Sequence, residues 1–400
     1  MKTILMNMKT RLLPLLLSLF VMACNSNVTQ QKTDAETDTG INIMAYYFPR
    51  DEFDPEQLQL DKLTHLIFSF SHVVDGKMAF SREEDGDRLE QLVAQKEKYP
   101  GLKVMVACGG WTADGFSDAV LTEESRKVFI ESTIELLEKY HLDGLDMDWE
   151  YPTSDEAGIK ARPEDRENFT AVMQGLREAM NKLDRPMTLT FAAAGWKGYF
   201  TYIELEKVIE TVDYINLMTY DQAGGGNKFT MHHTALGKRT LDDMLETPLG
   251  KEMLEHEGGS WEPQSVENIV DYCLQLGVPA KKIVVGAAFY GKGWKGVEPA
   301  DNGLFQPNKG GTRGGNYSKL LDEYIDKNGF TRYWDSLALA PYLFNPADSI
   351  FITYDDPESV ALKTRFTIDK GLAGIMFWEL GGDTREENGL LDAIYREAHP

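Results

Sequence analysis

The sequence predicts a (β/α)₈ TIM barrel with a small α+β insertion between strand seven and helix seven. Eight short apolar runs recur along the chain, and segments with helical periodicity separate them. Regular alternation of strand and helix is typical of a closed parallel barrel. The predicted strands cover residues 41–48, 63–71, 103–108, 144–148, 187–193, 214–218, 282–287 and 374–378.

The segments between the strands carry apolar stripes at helical spacing. Two of these stripes consist of Phe129, Thr133, Leu136, Leu137 and Tyr140, and of Val266, Ile269, Val270, Cys273 and Leu274. Gly277 lies just past the second stripe, where a helix commonly ends. A doubly wound open sheet is the alternative fold. No glycine-rich phosphate loop follows the first strand, which disfavours that alternative.

One stretch interrupts the alternation. Residues 293–352 are rich in Gly, Asn, Tyr and Pro and contain several short strand-like runs. A loop of that length without secondary structure is implausible inside a compact domain. The sequence therefore predicts an inserted α+β subdomain at the mouth of the barrel.

The first residues have the pattern of an export signal. Lys2, Lys9 and Arg11 precede the apolar run 12–22, which is too short to cross a bilayer as a helix. The run leads into Val-Met-Ala-Cys24, which resembles a bacterial lipobox. The resemblance implies cleavage before Cys24 and lipid on its sulfur, and hence membrane anchorage. An ordinary secretion signal with an incidental cysteine is the alternative.

These patterns divide the chain into three parts. We expect residues 1–23 to be a lipoprotein signal peptide, 24–40 a flexible tether, and 41–400 the barrel with its insertion at about 293–352. The protein is then exported and lipid-anchored in a bacterial cell envelope, at the outer membrane or the cell surface.

Composition and charge limit the partners. The formal net charge of −23 argues against nucleic acid and favours a neutral or cationic substrate. Cys108 and Cys273 are expected to be buried free thiols, not a disulfide. His232 and His233 lack a carboxylate or cysteine at ligand spacing, so we expect packing roles and no metal. No organic cofactor is implied, and we expect a monomer.

The segment 143–150, Asp-Gly-Leu-Asp-Met-Asp-Trp-Glu, carries the strongest chemical signal. Alternate side chains of a strand share a face, so Asp146, Asp148 and Glu150 lie on one side, and the apolar residues between them pack behind. Like charges so close raise each other's pKa, which suits acid–base chemistry. A solvent-exposed edge strand is the alternative, but Gly144 and the flanking apolar runs favour a buried strand.

Aromatic and polar residues cluster where the predicted strands end. They include Tyr46, Tyr47, Phe70, Gly109, Gly110, Trp111, Met218, Tyr220, Asp221, Tyr290 and Trp378, in addition to the carboxylates. Barrel enzymes build their sites at the carboxyl ends of the strands. Aromatic faces with a few carboxylates suit a sugar, whose C–H faces stack on rings while its hydroxyls form hydrogen bonds.

From about Ile41 to His399 the chain resembles glycoside hydrolase family 18, in particular the bacterial chitinases with an inserted subdomain. Residues 143–150 match the family's DGxDxDWE signature of strand four. Residues 108–111 resemble the SxGG signature of strand three, with Cys108 where Ser is usual. Further similarities lie at 218–221 (Met-Thr-Tyr-Asp), 288–294, 354–356 and 374–378.

The resemblance implies retaining, substrate-assisted hydrolysis of β-1,4-linked N-acetylglucosamine in chitin or its oligosaccharides. In that scheme Glu150 is the acid and base, and the substrate's acetamide oxygen is the nucleophile. Asp148 binds the acetamide N–H, Asp146 shares a proton with Asp148, and Tyr220 binds the acetamide oxygen. Two tryptophans, Trp378 below the distorted sugar and Trp111 on the leaving-group side, are implied to stack on the chain. The remaining expected substrate contacts are Tyr46, Phe70, Gly110, Tyr151, Met218, Asp221 and Tyr290.

Some positions depart from the family pattern. Cys108 lacks the hydroxyl expected to support the aspartates, Lys292 replaces the common Arg, and Gln222 stands where an aromatic residue is frequent. Two other functions stay open. One is an endo-β-N-acetylglucosaminidase acting on N-glycans. The other is a non-catalytic surface lipoprotein that binds chitin oligosaccharides.

Overall fold

A computed structural model describes residues 40–50, 53–257, 261–387 and 389–400. The predicted signal peptide, Cys24 and nearly all of the predicted tether lie outside the described residues, so export and lipidation stay predictions. Of the helices that are described, each is too short or too polar to cross a membrane.

The strands form two sheets. In chain order they are β1 Asn42–Tyr47, β2 His65–Val74, β3 Lys77–Ala79, β4 Lys103–Gly109, β5 Gly144–Asp148, β6 Thr188–Ala194, β7 Tyr214–Met218, β8 Ile283–Ala288, β9 Tyr290–Lys295, β10 Gly311–Asn316, β11 Thr331–Asp335, β12 Ala340–Asn345, β13 Ile350–Thr353 and β14 Gly374–Trp378. Parallel pairing runs in the order β1-β14-β8-β7-β6-β5-β4-β2, and β1 also pairs with β2. This last pairing closes an eight-stranded barrel, which confirms the predicted fold class.

The described residues form ten α-helices, eight of which connect successive barrel strands, one of which lies in the insertion and one of which follows the last strand. They are α1 Glu84–Ala94, α2 Phe116–Ala119, α3 Glu123–Lys139, α4 Asp165–Met180, α5 Leu205–Thr211, α6 Pro248–His256, α7 Val266–Gln275, α8 Tyr317–Glu323, α9 Pro357–Asp369 and α10 Leu390–Ala398. Capping boxes begin α3, α7 and α9, where Thr122, Ser265 and Asp356 accept hydrogen bonds from backbone N–H groups of the first turn. Gly277, at positive φ, follows the end of α7 as predicted.

The insertion lies between β8 and α9. Its antiparallel sheet has the strand order β10-β9-β13-β12-β11, and α8 follows β10. Trp294, Tyr342, Phe344 and Phe351 form an apolar core within it. The sheet begins at Tyr290, two residues after β8 ends, so its first strand continues directly from the rim of the barrel.

Alternation along the barrel strands separates two apolar regions. Leu145, Met147 and Trp149 face the layer between strands and helices, where Trp149 stacks on Phe116 with ring centroids 5.3 Å apart. A smaller cluster, which includes Met105 and Ala107, fills the barrel interior. The carboxylates of the same segment therefore point inward.

The paired glycines after β4 permit close packing against β5. Gly109 has a φ of 125°, and a Cβ there would lie 2.0 Å from the backbone oxygen of Asp148. Gly110 donates its N–H to that same oxygen at 2.8 Å. A side chain at position 109 would therefore push away the strand that carries the carboxylates.

Candidate active site

A cleft of about 740 Å³ opens at the carboxyl ends of the barrel strands. Its lining includes the predicted site residues Tyr46, Phe70, Trp111, Asp148, Glu150, Tyr151, Met218, Tyr220, Asp221, Tyr290 and Trp378. Asp146 lies beneath this surface and is fully buried. Gly110 does not line the cleft; it lies under the Phe70 ring, which a Cβ at this position would approach to 2.9 Å.

Asp146 is the deepest carboxylate and is well supplied with donors. It accepts hydrogen bonds from Tyr46 Oη at 2.7 Å, Thr190 Oγ1 at 2.5 Å and Asn216 Nδ2 at 3.1 Å. Burial raises the pKa of Asp146, whereas these three hydrogen bonds oppose the rise. Of the carboxylates on this segment, Asp146 thus receives the most hydrogen bonds from the protein.

Asp148 is in the opposite situation. Its side chain is buried, and Oδ1 has no hydrogen-bond partner among the described residues. Burial raises the pKa of Asp148 well above its ordinary value, and the charges of Glu150 and Asp146 raise it further. Asp148 therefore holds a proton at a pH where an exposed aspartate is ionised, and the carboxylates titrate as a set.

Glu150 lies at the wall of the cleft and is 9% exposed. Burial raises the pKa of Glu150 to about 7, a hydrogen bond from Tyr151 opposes that rise, and the charge of Asp221 adds to it. A carboxyl with that pKa is protonated in a large fraction of molecules near neutral pH. It has the properties of a general acid that can also act as a base.

Asp221 is the fourth acid of the site and is held ionised. Its carboxylate is 2.8 Å from Lys292 Nζ and accepts a hydrogen bond from Tyr290 Oη. Burial favours the neutral form, but the hydrogen bonds and charges of His233 and Lys292 lower the pKa of Asp221 to about 2. The negative charge of Asp221 in turn favours the protonated form of Glu150.

His233 has a larger role than the packing expected from the sequence. It is fully buried, its Nδ1 is 3.4 Å from the Asp221 backbone nitrogen, and its ring centroid is 5.3 Å from that of Tyr290. His232 pairs with Asp335 at 3.1 Å. Among the described residues no group of His, Cys, Asp and Glu has the arrangement of a metal site.

Two aromatic groups line the cleft. In the first group Trp378 stacks on Phe70 with ring centroids 5.4 Å apart, and the Tyr46 ring centroid lies 6.1 Å from that of Trp378. In the second group the ring centroid of Tyr151 lies 6.4 Å from that of Trp111 and 5.2 Å from that of Trp196. Trp111 is 56% exposed, so most of its surface is available to a ligand.

The structure corrects the position assigned to the missing serine. In the β4–β5 register Ala107 is opposite Asp146, whereas Cys108 is opposite Met147 and faces the outer layer. The strand period of two therefore places Ala107, not Cys108, beside the carboxylates. Cys108 and Cys273 are both buried and free, as predicted.

Sequence reasoning missed several residues that line the cleft. These are Phe48, Arg50, Glu156, Ala192 and Trp196. Ala192 lies within β6 and the other four lie on loops, and all five are outside the segments that resemble a known signature. Lys292, noted only as a departure from the family pattern, also lines the cleft.

Comparison with known proteins places this architecture among sugar hydrolases. The family model for glycosyl hydrolases family 18 matches residues 42–383. Chitinase A1 of Niallia circulans is 38% identical over 308 residues, which cover 74% of this chain and 42% of that protein. Chitinase B of Serratia marcescens is 30% identical over 417 residues, which cover 90% of this chain and 80% of that protein.

Solved structures agree with these relatives. A family 18 N-acetylglucosaminidase from Paenibacillus barengoltzii superposes with a TM-score of 0.79 at 38% identity, covering 89% of this chain and 99% of that one. A cell-surface-expressed multi-modular chitinase from Paenibacillus superposes with a TM-score of 0.80 at 37% identity, covering 90% of this chain and 43% of that one. The chain thus spans less than half the length of that enzyme and of chitinase A1.

The unsatisfied charge of Asp148 predicts that an amide there stabilises the fold. Asp148→Asn should raise the free energy of unfolding at pH 8 by about 1–3 kcal/mol, because folding of the wild type at that pH must either bury an ionised carboxylate or take up a proton, and the amide requires neither. The gain should shrink as the pH falls through the raised pKa of Asp148, since the wild-type carboxyl then takes up a proton in the folded state. Urea unfolding across pH measures it, with exposed Asp155→Asn as the control. A variant that is less stable than wild type at pH 8 contradicts the assignment.

Proposed function

The chain belongs to the glycosyl hydrolases of family 18, and we propose that it is a chitinase that cleaves β-1,4 linkages between N-acetylglucosamine units. The observation that carries this proposal is Glu150, a carboxyl with a pKa near 7 on the wall of an aromatic cleft. The related chitinases A1 and B and the related N-acetylglucosaminidase give the substrate class.

The proposed mechanism begins with proton transfer from Glu150 to the glycosidic oxygen. The acetamide oxygen of the sugar above Trp378 attacks its own anomeric carbon, and the leaving group departs with the proton. Glu150 then removes a proton from water, which attacks the anomeric carbon on the same face that the leaving group left. Two displacements give a product that retains the β configuration. Because the nucleophile belongs to the substrate, positioning supplies much of the rate enhancement.

Asp148 and Tyr220 are placed to position the acetamide. Both line the cleft beside Glu150. The Tyr220 hydroxyl lies 3.8 Å from the Met376 sulfur, a weak acceptor, so it is available to donate to the acetamide oxygen. Asp148 Oδ1 lacks a partner and can accept from the acetamide N–H. As the positive charge of the cyclic intermediate develops, ionised Asp148 stabilises it, while Asp146 can take up the shared proton.

The insertion also supports chitin over an N-glycan in this proposal. The α+β insertion between β8 and α9 begins at Tyr290, and Tyr290 and Lys292 of its first strand line the cleft. Residues of the insertion thus extend the groove available to a linear chain. Activity on a high-mannose glycoprotein with none on chitin oligomers would support the endo-β-N-acetylglucosaminidase instead. Tight oligomer binding without turnover would support the non-catalytic binding protein.

Removal of the acid should nearly abolish hydrolysis. Glu150→Gln should lower kcat/KM on a chitin hexamer by about 10²–10⁴-fold, because the amide cannot protonate the leaving group. Chromatography of the released oligosaccharides measures the rate. Glu135→Gln, on the exposed side of α3, is the matched control and should retain wild-type activity. Comparable turnover by Glu150→Gln and wild type would refute the role given to Glu150.

The pH profile should report the ionisation of Glu150. We expect kcat/KM to fall as the pH rises through about 7, because the acid then loses its proton. Tyr151→Phe removes the hydrogen bond that lowers the pKa of Glu150, so the alkaline limb should move to higher pH. Tyr99→Phe, which is outside the cleft, should leave the limb in place. A limb that moves to lower pH in Tyr151→Phe is incompatible with this hydrogen bond.

We also propose that the enzyme is a monomer anchored to the bacterial envelope through lipid on Cys24. Support for the anchor comes from the sequence pattern around Cys24 alone. Cys24→Ala should move the protein from the membrane fraction to the soluble fraction of the producing bacterium, and unchanged membrane retention would argue against lipidation. Light scattering of the leaderless protein tests the monomer, which a dimer mass would exclude.

A further inference from the structure

We propose that Glu156 makes the leaving-group end of the cleft a subsite for a sugar with a free, protonated amine, such as a glucosamine unit of partly deacetylated chitin. This inference rests on the proposed function and adds a preference among chitin chains of different acetylation. Glu156 lies on the loop between β5 and α4 and lines the cleft. None of the sequence signatures includes it.

Glu156 lines the same cleft as a group of aromatic rings. Trp111, Tyr151 and Trp196 form a continuous group there, with successive centroids 6.4 and 5.2 Å apart. Tyr151 directly follows Glu150, so this surface begins at the acid. Rings of this kind stack on the C–H faces of a pyranose, which leaves the substituents at the ring edge to polar neighbours. Apart from the proposed catalytic acid Glu150, Glu156 is an acidic side chain that lines the cleft together with these rings.

Two charged side chains elsewhere on the cleft wall have counter-ions. Arg50 pairs with buried Glu379 at 2.5 Å, and Asp221 pairs with Lys292 at 2.8 Å. These pairs bring little net charge to a passing ligand. A charge without a counter-ion on the same wall therefore has a larger influence on what binds.

Glu156 is such a charge. Its side chain takes part in no ion pair within the part of the chain that the structure describes. The basic residues nearest in its loop, Lys160 and Arg162, bind Asp118 instead, at 2.8 and 2.5 Å. The hydrogen bond between Glu156 and Ser154 runs from the Glu156 backbone N–H to Ser154 Oγ at 3.3 Å, so it does not involve the Glu156 carboxylate. The formal net charge of −23 adds to the attraction for a cationic ligand.

The chemistry of the substrate limits which subsites can bind a sugar with a free amine. An acetamide is neutral, whereas an ammonium is a compact cation with three donors that a carboxylate can accept. The sugar that reacts must keep its acetamide, because that group supplies the nucleophile in the proposed mechanism. A free amine is therefore restricted to the other subsites. The end with Trp111 and Glu156 accepts it without removing a reacting group.

The test compares a randomly half-acetylated chitosan with a fully acetylated hexamer, at a pH where the amine is protonated. Glu156→Gln should lower the ratio of kcat/KM on chitosan to kcat/KM on the hexamer by about two- to fivefold, the size expected of an exposed ion pair. Asp155→Asn removes the same charge one residue away, where the side chain does not line the cleft, and should leave the ratio unchanged. Above the pKa of the amine the wild-type preference should disappear.

Sequencing of the oligosaccharide products shows on which side of the cut Glu156 favours glucosamine. Wild type should enrich glucosamine in the units on the leaving-group side of the cut, which become new non-reducing ends, and Glu156→Gln should lose this enrichment. Random composition there, or equal changes of the ratio in Glu156→Gln and Asp155→Asn, would overturn the inference.

A binding experiment separates the inference from the proposed function. In a Glu150→Gln background, calorimetry of a glucosamine-containing and a fully acetylated oligosaccharide requires no turnover. A preference for the former that Glu156→Gln removes supports the subsite. Equal affinities refute it. If wild type failed to cleave the acetylated hexamer, chitinase activity would be refuted while this comparison still decided the role of Glu156.

Discussion

Three inward-facing carboxylates on or just after β5 are the constraint on which the site depends. Charges in a barrel interior are costly unless neighbours solvate them or a proton neutralises them. Asp146 is solvated by Tyr46, Thr190 and Asn216, which belong to β1, β6 and β7. Asp148 has no comparable set of donors, and burial raises its pKa well above the ordinary value, which favours its protonated form. The difference in solvation between these two neighbours therefore favours Asp148 over Asp146 as the site of the proton.

The closed barrel makes this arrangement possible. Because strands that are distant in sequence converge at one end, donors for Asp146 come from several strands at once. For the same reason the charge of Asp221, which follows β7, acts on Glu150, which follows β5. The outer face of β5 offsets part of the cost, since Trp149 is buried against Phe116 and Phe169. The outer face of β5 thus contributes to stability, and its inner face carries the carboxylates of the site.

Much of this site follows from sequence alone, for identifiable reasons. The sequence predicts strands at 144–148, 214–218 and 374–378 with the bounds that the structure gives. Residues 374–378 form a continuous apolar run, whereas single polar residues alternate with apolar ones in the other two segments. The alternation of acids with Leu145, Met147 and Trp149 fixed which face each acid occupies. Strand β2 begins two residues later and ends three residues later than predicted, because the hairpin to β3 extends it beyond the barrel.

Other features depend on contacts between distant segments. The pairing of β9 between β10 and β13 joins residues that no local pattern connects. His233 binds the Asp221 backbone because the chain returns to the end of β7, and Trp196 and Glu156 reach the cleft on loops without periodicity. A one-residue error assigned Cys108 a place beside the carboxylates, although the period of a strand, counted from Gly109, already points to Ala107.

The most direct test of the account is infrared spectroscopy of the carboxyl groups as the pH is varied. A protonated carboxylic acid has a C=O band distinct from that of a carboxylate. We expect the folded wild-type protein to show such a band at neutral pH, and Asp148→Asn to weaken it. A neutral-pH spectrum in which every carboxyl is ionised would contradict the shared proton and the mechanism built on it.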